Sequence, residues 1–221
     1  MNRTTSLKAE KGSKKWIQEI VNSRPKIIND KIRKAFKLEI TEKIDWKSPL
    51  SAEGYKEYQD QEFLDILEIK LEKRPLDTFW PTRGGPHWDA LAKTSKNSII
   101  LVEAKSHIDE IDTNATEAED ERLVLIQASL EETKKALNSK SITDWSKCFY
   151  QYTNRLAFLY LLWQNGINTY LINVYFVKDP TIKNPQSEEE WKGALRLLKK
   201  HLGVSRHKLN KYTSDIFIQV N

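Results

Sequence analysis

Residues 79–107 read FWPTRGGPHWDALAKTSKNSIILVEAKSH, and the turn TSKNS at 94–98 decides how the chain around it is arranged. An alternating run precedes the turn and a β-branched apolar run follows it, the pattern of two short strands closed into a hairpin. A hairpin centred on Lys96 pairs Ala92 with Ile100, Leu91 with Leu101 and Asp89 with Glu103. Directly paired residues share a face of the sheet. One face then carries His87, Asp89, Leu91, Leu101, Glu103 and Lys105, while Ala90, Ala92, Ile100, Val102 and Ala104 make the other wholly apolar.

Two carboxylates facing each other across a strand pair repel, and a positive charge between them relieves the repulsion. Mg²⁺ or Mn²⁺, held by Asp89 and Glu103 with the Ala104 carbonyl and waters, suits such oxygen donors. Lys105 lies two residues further along the same face, where it would orient or activate a water and neutralise an attacked phosphate. This is the chemistry of phosphodiester hydrolysis. The plainer reading is a charged, exposed strand face whose salt bridge contributes less than about 1 kcal/mol. Glu-x-Lys recurs at 68/70, 132/134 and 190/192, but there on helical patterns, where i and i+2 do not face each other.

Working outward, GSKKWIQEIVN at 12–22 spaces Trp16, Ile17, Ile20 and Val21 for a helix capped by Ser13. A second helix follows over 26–40 after Pro25, and DWKSPLSAEG at 45–54 reads as a loop. YKEYQDQEFLDILEIKLEK at 55–73 is helical in period and leads into the hairpin. Beyond the hairpin, a loop from Asp112 precedes a helix with Leu123, Ile126, Leu130 and Leu137 on one face, and a further helix spans 144–166 with Gly166 as its stop. TYLINVYFV at 169–177 is a strand. The last helix is SEEEWKGALRLLKKHLG at 187–203, with a Ser187/Glu190 capping box and Gly203 as its end. The predicted order of helix, strands, helices, strand and helix describes an α/β domain on a mixed sheet.

Composition agrees with a single folded unit of 221 residues: 39% hydrophobic and 30% charged, with seven Trp, eight Tyr and seven Phe. The formal charge of +5 permits an anionic partner without requiring one. A lone cysteine, Cys148, rules out an internal disulfide and reads as a small core residue; a reducing cytoplasm is the default location. The polar start has no apolar core of a signal peptide, and the most apolar stretch, 156–177, is broken by QNGINT, so no membrane association is expected.

PHWDA followed by IILVEAK resembles the signature of the PD-(D/E)XK nuclease superfamily, and FWPTRGGPHWDALA, LVEAKSHIDE and YQYTNRLAFLYLL are similar to a bacterial family placed within it, over residues 55–180. Pro86 stands three residues before Asp89, so the proline of the superfamily name is not in its literal place. The resemblance implies a restriction-endonuclease-like central mixed sheet flanked by helices (51–221), with an N-terminal helical segment (1–50) packed on it. It implies Asp89 and Glu103 as metal ligands and Lys105 as the catalytic lysine. A further acid from the preceding helix is expected at Glu62, ahead of Glu68, which falls near that helix's end. The implied partner is nucleic acid, DNA before RNA, and a homodimer stays open.

Arg83 in RGGP, His107 after the lysine, and Gln151, Asn154 and Arg155 on one helix face are the substrate-contacting candidates, with Gln127 a weaker one. Each has a plain alternative: a turn, a polar strand end, or a buried hydrogen-bond network. Trp80 and Trp88 offer faces for bases, although strand tryptophans are more often packing. The expected function is Mg²⁺-dependent hydrolysis of nucleic acid; the alternatives are a catalytically silent binding module and a phosphodiesterase acting on a small substrate.

Overall fold

In the computed structural model, which describes residues 8–113 and 115–221, five strands form one mixed sheet in the order β1-β2-β3-β4-β5. They are β1 (Ile44–Ser48), β2 (Ala90–Thr94), β3 (Ile99–Lys105), β4 (Thr169–Val177) and β5 (Thr213–Gln219). β2 runs antiparallel to both β1 and β3; β4 and β5 continue parallel to β3. The register between β2 and β3 is the expected one: Ala92 pairs with Ile100 and Leu91 with Leu101.

Thr94 closes this hairpin. Its N–H donates to the Ser98 carbonyl at 2.8 Å, its Oγ1 accepts from the N–H groups of Lys96 and Ser98, and Asn97 takes the left-handed conformation (φ 61°) that such three-residue turns need. A slip of one residue would turn every side chain of β2 to the other face, so the turn fixes which residues meet.

Each face of the sheet carries its own core. On one side α1 (Gly12–Ser23) and α2 (Pro25–Phe36) cover Ala90, Ala92, Ile100, Val102 and Ala104 together with Ile172, Val174, Phe176, Ile216 and Ile218. On the other, α3 (Asp60–Ile66), α4 (Asp120–Ala136), α5 (Tyr150–Gln164) and α6 (Glu188–His201) cover the side of Leu91, Leu101 and Leu171. The result is three layers with the sheet in the middle. None of these helices is long and apolar enough to cross a membrane.

Several elements depart from the sequence reading. The segment at 45–54 supplies edge strand β1, which pairs with β2 across a bulge at Trp46/Ser48, so the first fifty residues share the central sheet as well as adding helices to it. Residues 1–7 of that segment lie outside the described structure. The helix expected over 55–73 is cut to Asp60–Ile66. Its start is pulled into extended geometry by a bridge between Tyr58 and Trp88, and Glu68 (φ 56°) turns the chain left-handed at its end. Ser13 is no cap: α1 begins from Lys11 without a side-chain cap, and the Ser13 hydroxyl donates to Glu110 Oε2. α5 begins at Tyr150 and not at Asp144, because Phe149 sits at φ 52°. The Ser187/Glu190 capping box of α6 forms as read.

Ile100 and Leu101 are both fully buried, one in each core. Truncating either to Ala is expected to cost about 2–5 kcal/mol in urea unfolding, and the two losses are expected to add because the side chains lie on opposite faces.

Candidate functional site

The end of β3 and the residues before β2 bring charge into the core. Asp89 immediately precedes β2, and continuing the register one residue places it level with Glu103. Its Oδ2 accepts from the Ala104 N–H at 2.7 Å, so Ala104, expected to contribute a carbonyl, meets Asp89 through its amide. Glu103 is buried, and both its oxygens are occupied. Oε1 meets Lys105 Nζ at 2.7 Å, and Oε2 accepts from Arg155 Nε and Nη2, each at 2.7 Å. Lys105 also donates to Gln151 Oε1 at 2.8 Å.

Arg155 comes from α5 and is itself buried. Beyond Glu103 it donates to Asn154 Oδ1 and to the His87 carbonyl, each at 2.8 Å, and its guanidinium lies over the Trp88 ring. Four of the five N–H groups of the fork are therefore used, which is how a buried guanidinium is tolerated. Trp80 and Trp88 are fully buried beneath it, packed edge-on against Phe158, so they are core residues and offer no face to a base.

The two acids are not equivalent. Burial and then the neighbouring Glu103 charge push the Asp89 carboxyl up to about 8. Burial acts on Glu103 in the same direction, but Arg155 and Lys105 outweigh it and hold that carboxyl below its ordinary range. For Lys105, burial disfavours the charge, and Glu103 with Asp89 more than restore it, raising its pKa. Lys105 is thus an ammonium at neutral pH, suited to neutralising and orienting an anion and unsuited to accepting a proton.

Lys105 and Arg155 reach a cleft of about 960 Å³ that is also lined by the RGGP turn, His87, residues from 109–113 and 115–118, and the start of α5, whereas Asp89 and Glu103 are not among its lining residues. Arg83, Gln151, Asn154 and Arg155 all line it, and so do His87 and Arg122. The turn's position rests on Asp60, whose carboxylate accepts from the N–H groups of Gly84 (3.3 Å) and Gly85 (2.7 Å). A Cβ on Gly85 would lie 2.7 Å from that carboxylate, so the glycine is needed for close approach.

Other candidates fall elsewhere. Glu62 is exposed and paired with Lys56, and Glu68 is paired with Lys93. His107 caps the short 3-10 turn Ile108–Ile111, its Nδ1 accepting from the Asp109 N–H. Gln127 donates to Ser146, and Cys148 is half-buried. Besides Glu103, the acid whose charge reaches Asp89 is Glu57, the weakest of the influences on that carboxyl and itself paired with Lys14 at 3.0 Å. It was missed because it sits within a helical period, yet the Tyr58–Trp88 bridge makes this stretch extended and brings residue 57 level with residue 89.

Asn173 and Asp215 were also missed. The parallel registers set Glu103, Asn173 and Asp215 side by side across β3, β4 and β5. Asn173 donates to Asp215, which is ion-paired with Lys199 of α6, so a row of polar groups crosses an otherwise apolar sheet face.

The donor set fits a hard cation in chemistry: Mg²⁺ is commonly held by one or two carboxylates and water. Asp89 has one oxygen that no described group occupies, and its charge is the one the surroundings leave uncompensated. Among the described residues no three His, Cys, Asp or Glu side chains form a ready-made metal cluster, so such an ion would rest on Asp89 and Glu103. No known family profile, curated protein sequence or solved structure matches the chain.

Removing one partner of the buried Glu103–Arg155 pair leaves a lone buried charge. Glu103→Gln and Arg155→Met are each expected to destabilise the fold by about 3–5 kcal/mol in denaturant unfolding. Asp89→Asn, which keeps the acceptor for the Ala104 N–H and removes a disfavoured charge, is expected to match or exceed wild-type stability at pH 8.

Proposed function

We propose that the protein is a divalent-metal-dependent nuclease with a restriction-endonuclease-like core, hydrolysing phosphodiester bonds, with DNA before RNA as its substrate. The observation that carries this reading is the hairpin register: it sets Asp89 against Glu103 with Lys105 beside them, and Lys105 reaches a cleft whose walls carry Arg83, Arg122 and Arg155. The strand order, an antiparallel meander continued by parallel strands, is compatible with that fold.

Asp89 and Glu103 would hold Mg²⁺ or Mn²⁺, which supplies Lewis-acid polarisation of the scissile phosphate. The chain's own residues do the rest. Lys105, kept charged by its two acidic neighbours, neutralises and orients the attacked phosphate. Gln151 accepts a hydrogen bond from Lys105 and so fixes the direction of the ammonium. Arg155 holds Glu103 in place and keeps it ionised. Arg83 and Arg122, on the walls of the cleft, contact flanking phosphates. Glu57, brought level with Asp89 by the Tyr58–Trp88 bridge and paired with Lys14, replaces Glu62 as the candidate for an additional acid.

Incubating the protein with single- and double-stranded DNA and RNA in Mg²⁺ or Mn²⁺ tests this reading. Cleavage is expected with wild type, none in excess EDTA, and a fall of about 10²–10³-fold in rate for Lys105→Ala, the scale of losing one preorganised electrostatic group. Equal cleavage by wild type and Lys105→Ala would discard it.

A further inference from the structure

We infer that α6 and the segment after it form a separate surface that grips the phosphate backbone of a nucleic acid and supplies the affinity that the cleft lacks. The identity of the polymer rests on the nuclease reading; the surface itself is independent of it. From Trp191 to Ser214 the chain has seven Lys or Arg and two His but no Asp or Glu, and in the remainder of the protein acids outnumber the cations.

The fold puts most of this charge outside. Trp191, Leu195 and Leu198 bury one face of α6, leaving Lys192, Arg196 and Lys200 exposed at i, i+4 and i+8 on the opposite stripe, about 6 Å apart along the axis. Arg206 and Lys208 continue the exposed series beyond the helix. Lys192 is tied to Glu188, but Arg196, Lys200, Arg206 and Lys208 have no acidic partner among the described residues. A helix terminus accounts for Lys200 alone, since cations favour the last turn. Like charges at helical spacing oppose folding, so a stripe of cations whose one acid is Glu188 at its start is more than ordinary solvation requires. Nearby, His207 is held down to about 4, by burial first and by the Lys199 charge second.

The cleft is different in sign. Its cations, Lys105, Arg83, Arg122 and Arg155, are offset by Asp109, Glu110, Asp112 and Glu117 on the same walls, so it has little net attraction for a polyanion. The basic surface adjoins it: His201, at the end of α6, packs edge-on against Phe149, next to Tyr150 of the cleft wall. A membrane is a poorer partner, because Leu197 is the lone large apolar side chain exposed on α6, and lipid binding needs an apolar face to insert.

The test is fluorescence anisotropy in EDTA with labelled single- and double-stranded oligonucleotides, comparing wild type, the quadruple variant R196Q/K200Q/R206Q/K208Q and a control on α2, K31Q/K34Q/K37Q. All substituted side chains are exposed, so thermal midpoints are expected to match. The quadruple variant is expected to bind at least about 10-fold more weakly, with the slope of log K against log salt shallower by roughly 3 units, and the control to bind like wild type. Unchanged binding in the quadruple variant, or equal weakening in both variants, overturns the inference. So does quadruple-dependent binding to anionic phospholipid vesicles without any to oligonucleotide. Binding that depends on these residues, with no cleavage in Mg²⁺ or Mn²⁺, removes the nuclease reading and keeps the surface; cleavage with binding unaffected does the reverse.

Discussion

A carboxylate sealed inside a protein must have its charge answered on the spot, and Glu103 is such a carboxylate. Arg155 answers it from α5 and Lys105 from its own strand, at 2.7 Å on either oxygen. The pair ties the sheet to the helix layer, and the arginine extends the tie to the His87 carbonyl and the Trp88 ring, the approach to Asp89. Lys105 and Arg155 are both positioned by Glu103, while Asp89 is held by the Ala104 N–H. Such an arrangement is poor value as plain stabilisation, since desolvating two ions offsets most of their attraction. Its worth lies in holding one geometry.

That geometry leaves Asp89 as the group out of balance. Its neighbour's charge is matched, its own is resisted by burial, and one of its oxygens has no described partner. A fold that needed only packing would gain from an apolar residue at this position, which is why the proposed cation at Asp89 is a better account than a decorative salt bridge.

Charge is unevenly distributed on the larger scale as well. Acids collect on the 109–121 segment beside the cleft, and cations on α6 and the residues after it. The modest net charge conceals this separation, because a sum over the chain says nothing about where opposite signs lie. On the proposed reading, local chemistry at the cleft and long-range attraction beside it would fall to different parts of one surface, as when phosphate contacts position a polymer that another site acts upon.

The hairpin was legible in the sequence because a turn signal and a period of two fix register without any distant information. β4 and the cap of α6 were legible for the same local reason. β1 and β5 were not: both are short edge strands with polar residues among few apolar ones, and they are strands because β2 and β4 offer them hydrogen bonds. The helical period at 55–73 was real over Asp60–Ile66 and was overridden before it by the Tyr58–Trp88 bridge; Glu62 stays on the helix but faces Lys56 at the surface. The sequence by itself determined which side chains of β2 and β3 share a face, because side chains alternate along any strand. Only the tertiary structure decided that Arg155 would neutralise Glu103 and that Asn173 and Asp215 would stand in line with it, because those contacts join residues more than forty positions apart and depend on how helix and strands pack.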